Sequence, residues 1–486
     1  MKRRKFIKQV AVGSTLSMLP LSWVWGKDKQ GILSSQSAGP TDRDKPLIHC
    51  AFTYPPTSRL EEEGYFSYPG SSFDAEERQK RYERKLRGME QKLGVDIDFE
   101  GDPLDESESV TRFIEKVKNM NPNGLVLFPF KKSHWDRVMR IVEETQTPAV
   151  VLATQGVLLI GHVRQLYEES GAYMINSLNN LDAVEYGLRM IRTAFRMSRK
   201  TILNIDYSER SERRVPVIGT RVVTVPIDRF YELYDETDVT SEVQRCADDW
   251  WNNAEKAVHQ QKSGVVKGAR AYYALKKFIK EEQADAMMMN CLPGVRSREH
   301  VPPCMGYMAL RDQGIPAGCE SDTDSTLCMM LLQELFNKPA FQHNEMVDTE
   351  KNTYFAAHCT SASKMKGFGN ESEPYEMWDH AEAGWGCVPR VLMEPGTPVT
   401  VTYYHAAGSE GERPKMAIYS GEVLRPMPLP ETGGCRTNVE VKLHDIDDVV
   451  NFKAGRHTSL IYGNHKEDLQ HFCQLMDIEE LRFESA

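Results

Sequence analysis

Residues 304–359 gather the side-chain types that hold metal ions and move protons. Glu320 lies in Gly314-Ile315-Pro316-Ala317-Gly318-Cys319-Glu320-Ser321-Asp322, between a short apolar run and the start of a helix. Its carboxylate should therefore project from a strand end. His343 and Asn344 follow the run Phe341-Gln342, and His358 and Cys359 close another strand-like run; His457 stands at an element boundary much further along. A carboxylate and imidazoles delivered from successive strand ends can converge on one metal ion or one sugar. Oxygen donors mixed with imidazole suit Mn2+ or a similar hard divalent ion better than a soft thiolate site would. Glu320, His343, Asn344, His358 and His457 are thus the candidate ligands. A Cys359–His358 dyad for hydrolysis is excluded, because sequence neighbours on a strand face opposite ways.

These residues need elements to position them. From residue 46, short apolar runs alternate with helical spacing. Val110, Phe113, Ile114 and Val117 fall on one helical face, as do Trp135, Val138, Met139 and Val142. The run Gly124-Leu125-Val126-Leu127-Phe128 is apolar throughout, as a strand covered on both faces must be. Alternation of this kind builds a doubly wound parallel sheet. One α/β domain is expected over 46–165 and a second, carrying Glu320, over 166–360. Ser321, with Asp324 three residues on, is placed to cap the helix whose Leu327, Met330, Leu331 and Leu335 face a core. Beyond residue 384 the period changes to two, in 399–403, 416–419 and 439–443, between Pro- and Gly-rich turns. A C-terminal antiparallel β domain, sandwich or barrel, with a final helix is therefore expected over 361–486. Trp378 and Trp385, just before it, could stack on a sugar ring or pack the junction.

The chain has 486 residues, 40% apolar and 27% charged, with 60 basic against 70 acidic groups and a net charge of -10. That is a folded protein of more than one domain, and it has no basic stripe for nucleic acid. Arg3-Arg4-Lys5-Phe6-Ile7-Lys8 precedes an uncharged stretch over 9–25 and a polar spacer, so residues 1–45 read as an export signal of twin-arginine type. Periplasmic location follows as an expectation, with membrane anchoring if the signal stays uncleaved. The ten cysteines include no Cys-x-x-Cys pair, and several lie in apolar runs, so buried free thiols are expected.

Cys319-Glu320-Ser321-Asp322 with its following helix, Pro339-Ala340-Phe341, His358-Cys359, and Gly455-Arg456-His457-Thr458 with Tyr462-Gly463-Asn464 together resemble the L-fucose isomerase and L-arabinose isomerase superfamily. The resemblance implies a divalent metal, commonly manganese, holding two adjacent sugar oxygens while an acidic residue shuttles a proton between C1 and C2. It implies Glu320 as ligand and base, His457 as the C-terminal histidine ligand, and His358 as an extra histidine ligand. It places the second acidic position, a catalytic one, at His343 or Asn344, where this chain has no carboxylate. Asp348 or Glu345 would have to reach in against strand alternation. Trimers or hexamers are implied as well. The competing expectation is a periplasmic sugar-binding protein on the same scaffold that performs no catalysis.

Overall fold

The computed structural model describes residues 44–63, 73–154, 157–178, 180–409, 411–428, 434–453 and 455–481. The export signal read in residues 1–45 lies almost wholly outside them. Among the described residues no helix is long and apolar enough to cross a membrane.

Strands β1 (Leu47–Thr53), β2 (Asp96–Phe99), β3 (Gly124–Pro129), β4 (Ala149–Thr154) and β5 (Ala172–Ser177) form one parallel sheet, in the order β2-β1-β3-β4-β5. Every residue of β3 and β4 is buried, because helices cover both faces. Local signals set the helix ends. Asp74 accepts the Glu77 N–H at the start of Ala75–Leu93, and Gly94, at φ +65°, closes it in the left-handed conformation.

A second sheet uses β6 (Thr201–Asp206), β7 (Ser211–Arg214), β8 (Arg221–Pro226), β10 (Ala286–Met289) and β11 (Ala317–Cys319), in the order β11-β10-β6-β8-β7. It is parallel except for the edge strand β7. The two-residue strand β9 (Lys256–Ala257) instead joins β14 (Tyr375–Trp378) and β15 (Val388–Val391) in a small separate sheet.

The antiparallel expectation resolves into a closed barrel. Strands β12 (Phe341–Asp348), β13 (Thr353–His358), β16 (Pro398–His405), β17 (Lys415–Pro426), β18 (Thr437–Leu443) and β19 (Thr458–Tyr462) run β16-β19-β12-β13-β18-β17, and β17 pairs back onto β16. The short strand β20 (Glu479–Glu480) adds to β17. Closure leaves the ring without a free edge. Phe341, Tyr354, Ala356, Val399, Val401, Val441 and Leu460 fill its core. The first sheet extends to Ser177, beyond the seam drawn from sequence at 165, and the antiparallel barrel begins at Phe341, ahead of the seam drawn at 360.

The helix Thr323–Phe336 lies between layers, packing on β16, β19 and the helix Ala183–Arg199. Leu327, Leu331 and Leu332 are almost wholly buried, each worth about 2 kcal/mol of transfer free energy. This helix anchors the turn that carries Glu320. Its N-cap is Asp322, not Ser321: the Asp322 carboxylate accepts the Ser325 N–H at 3.1 Å. Asp324 turns away instead, accepting the Ala406 N–H and pairing with the His405 ring at 2.8 Å.

Candidate metal centre

The site stands where β11 ends and the barrel begins. Glu320 leaves β11 with its N–H donated to the Met289 carbonyl, and both Glu320 and Ser321 then adopt left-handed φ angles of +59° and +52°. That sharp turn swings the carboxylate out of the sheet, while Asp322 immediately starts the helix. Two side chains fix β11 against the barrel. Gln342 accepts the Cys319 N–H at 2.8 Å and donates to the Cys319 carbonyl at 3.2 Å. Arg311, 1% exposed, donates to the Ala317 carbonyl, to the Thr360 carbonyl at 3.0 Å, and to Gln342 Oε1. The guanidinium thereby ties the strand before Glu320 to the segment just after His358.

Glu320, His358 and His457 present ligand atoms that all lie within 4.8 Å of one another. Glu320 Oε1 is 4.0 Å from His358 Nε2, and Oε2 is 3.7 Å from His457 Nε2. Both histidines are 1% exposed, and both Nε2 atoms are buried without a hydrogen-bond partner. Buried polar atoms are nearly always satisfied, so two orphaned nitrogens facing one carboxylate fit a cation between them.

The two imidazoles are held differently. His457 Nδ1 donates to Asp322 Oδ2 at 2.7 Å, which leaves the Nε2 lone pair free, the arrangement by which a carboxylate orients a metal-binding histidine. His358 Nδ1 accepts the Cys359 N–H at 2.9 Å. A neutral ring so bonded carries its own proton on Nε2. Burial, reinforced by His457 and Arg311, holds His358 well below the usual histidine range, so the ring is neutral. His457 is thus prepared as a ligand, whereas His358 must exchange its Nδ1 contact to offer Nε2.

The other candidates fall elsewhere. His343 is wholly buried in the barrel, with Nδ1 against the Phe341 carbonyl at 3.0 Å and Nε2 against the Tyr354 hydroxyl at 2.7 Å. Both its nitrogens are engaged, and the structure does not bring it into the Glu320 group; burial holds its pKa down to about 3. Asn344 is half-buried on the face of β12 shared with Gln342, the face that meets β11. Trp378 donates to Glu376, two residues back on β14, and Trp385 donates to the Val295 carbonyl.

One group emerges that sequence reasoning held at a distance. Glu345 is half-buried, with Oε2 inaccessible and unpartnered. Burial pushes its pKa up to about 6, opposed by the nearby His457 ring and Thr458 side chain. Strand alternation spoke against it in the sequence, and on β12 it lies on the same face as His343. The usable signal was the reverse: a strand that closes into a barrel presents that inner face to the mouth.

No family model matches the chain. Over 244 residues it is 24% identical to the sulfoquinovose isomerase of Priestia aryabhattai and to that of Priestia megaterium (strain ATCC 12872 / QMB1551), covering 48% of this chain and 52% of each relative. It is 23% identical over 267 residues to the sulfoquinovose isomerase of Clostridium sp. (strain MSTE9), covering 50% and 55%. The chain thus spans about half the length of the curated relatives it matches. Among solved structures, a sugar ABC transporter (sugar-binding protein) from Bacillus halodurans is 14% identical over 63% of this chain and 90% of that one, with a TM-score of 0.17. An ABC transporter solute binding protein from Burkholderia multivorans is 10% identical over 53% and 86%, with a TM-score of 0.18. Superpositions that poor carry no argument. The sequence relatives do: they are sugar isomerases, and the similarity supports kinship with that group.

Proposed function

We propose that this chain is a metal-dependent isomerase interconverting an aldose and a ketose by proton transfer between adjacent carbons. The observation that carries the reading is the Glu320, His358 and His457 group, whose two buried Nε2 atoms face one carboxylate with no partner of their own. A divalent cation such as Mn2+, held by Glu320 and His457 with His358 completing the set, would supply Lewis acidity toward the sugar's carbonyl and neighbouring hydroxyl.

The chain's own groups do the rest. Asp322 keeps the His457 ring in the tautomer and orientation that leaves Nε2 free. Glu320 is positioned by a turn anchored on a buried helix, so its carboxylate is available as the proton acceptor. Glu345 supplies the second carboxylate missing from His343 and Asn344, its unpartnered Oε2 serving to return the proton to the adjacent carbon. Asn344, on the face of β12 that meets β11, orients a sugar hydroxyl. Arg456, 62% exposed and 3.5 Å from Glu320, favours a sugar with an anionic substituent, in keeping with relatives named for sulfoquinovose.

The test is solvent deuterium exchange. Metal-loaded protein in D2O, given a panel of aldoses and ketoses including sulfonated, phosphorylated and uronate forms, should place deuterium beside the carbonyl of at least one. Glu320→Gln should abolish it. Exchange into none would refute isomerase chemistry, and sugar binding unaffected by chelator would leave the non-catalytic reading in its place.

A further inference from the structure

Next to the candidate ligands lies a group of thiols that the proposed reaction does not use. Cys359 directly follows His358, and Cys435 lies two residues before Thr437, the residue of β18 paired with His358. Their Sγ atoms are 4.0 Å apart, and both residues are half-buried, whereas Cys304 and Cys319 are buried. All ten cysteines are free.

We propose that Cys359 and Cys435 are a redox pair that closes to a disulfide beside the metal centre. The ladder between β13 and β18 ends at His358 and Thr437, just short of the two cysteines, and closing the bond brings their sulfurs from 4.0 Å to about 2.05 Å. The oxidant is a low-molecular-weight disulfide. Cys435 sulfur attacks it, forming a mixed disulfide and releasing one small thiol; Cys359 sulfur then displaces the second. One S–S bond forms in the protein as one breaks in the oxidant, and the two protein thiol protons leave on the two released thiols. Contraction draws on Cys359, whose N–H holds His358 Nδ1 at 2.9 Å. Oxidation thereby shifts His358 relative to Glu320 and weakens metal binding, a consequence that rests on the proposed metal centre; the disulfide itself does not.

The experiment equilibrates the full chain with excess oxidised glutathione, then removes the reagent. Thiol titration after denaturation should show two fewer than the ten native thiols, the mass should fall by about 2 Da, and peptide mapping should join Cys359 to Cys435. Cys435→Ser should retain its remaining thiols. Oxidised protein should bind Mn2+ roughly 10-fold more weakly than reduced protein, the low end for disturbing a contact behind a ligand. Ten surviving thiols, or a cross-link to Cys304 instead, would overturn the pairing. A mapped disulfide with unchanged Mn2+ affinity would overturn its coupling to His358. Reduced protein that binds no Mn2+ would instead count against the metal centre, with the thiol count still deciding the pair.

Discussion

Asp322→Asn is the sharpest perturbation of the proposed centre, because it separates two roles of one side chain. Oδ1 caps the helix Thr323–Phe336 by accepting the Ser325 N–H, and Oδ2 accepts the His457 Nδ1 proton at 2.7 Å. Asparagine caps helices about as well as aspartate, so the fold should lose under about 0.5 kcal/mol through the cap. The second contact does not survive so well. Unlike a carboxylate, an amide can turn its NH2 toward Nδ1, which stabilises the tautomer with the proton on Nε2, the atom facing Glu320. Even with the amide oxygen facing the ring, the ligand loses its charged hydrogen-bond partner. Losses of that kind cost 10–100-fold in metal affinity, or about 1.4–2.8 kcal/mol. Titration of Mn2+ by calorimetry, beside thermal unfolding of the same samples, should show a large affinity loss with little change in apo stability. Wild-type affinity in Asp322→Asn would refute the argument that Asp322 prepares His457, and equal losses in affinity and stability would reduce Asp322 to a cap.

Three further outcomes are expected. His457→Ala should lose more metal by elemental analysis than His358→Ala, since only His457 has its Nε2 lone pair already free; the reverse order would exchange their roles. Arg311→Met should cost about 3 kcal/mol in denaturant unfolding, because it strands buried acceptors at Ala317 and Thr360 and unties β11 from the barrel; a change below 1 kcal/mol, by the same standard, would show that the tie is dispensable. The folded pKa of His343 lies at about 3, below its ordinary 6.5, so the native state refuses a proton that the unfolded chain accepts. Its contribution is complete above pH 6.5 and is lost as pH falls toward 3, and His343→Gln should flatten that part of the stability profile measured by calorimetry.

What could be read in advance follows from local physics. Glu320 at a strand end and the parallel α/β layers were legible because apolar runs such as Gly124–Pro129 and helical faces such as Val110, Phe113, Ile114 and Val117 are written in contiguous residues. His358 and His457 could be nominated by position but not joined, since their meeting depends on β13 and β19 flanking β12, with Ala357 opposite Asn344 and Thr458 opposite His343. His343 misled because its Tyr354 partner sits across a hairpin, and no spacing rule announces that hydrogen bond. Glu345 was discounted by an alternation rule that holds for the strand but says nothing of what the inner face of a barrel meets at its mouth. The helix cap went to Asp322 instead of Ser321 because the left-handed turn runs one residue longer than a compact strand-to-helix junction would.

That turn has a bearing on how the protein can be improved or damaged. Two consecutive non-glycine residues at positive φ are each disfavoured by about 1 kcal/mol relative to glycine. A screen for heat resistance would therefore reward glycine at both positions alike. At Ser321 the gain should come without loss, since the backbone path is unchanged. At Glu320 the same gain would remove the carboxylate. The chain thus keeps a less comfortable corner where a glycine would rest more easily, and a scan that scores thermal tolerance and metal uptake side by side would mark the centre by where the two measures part, before any sugar is identified.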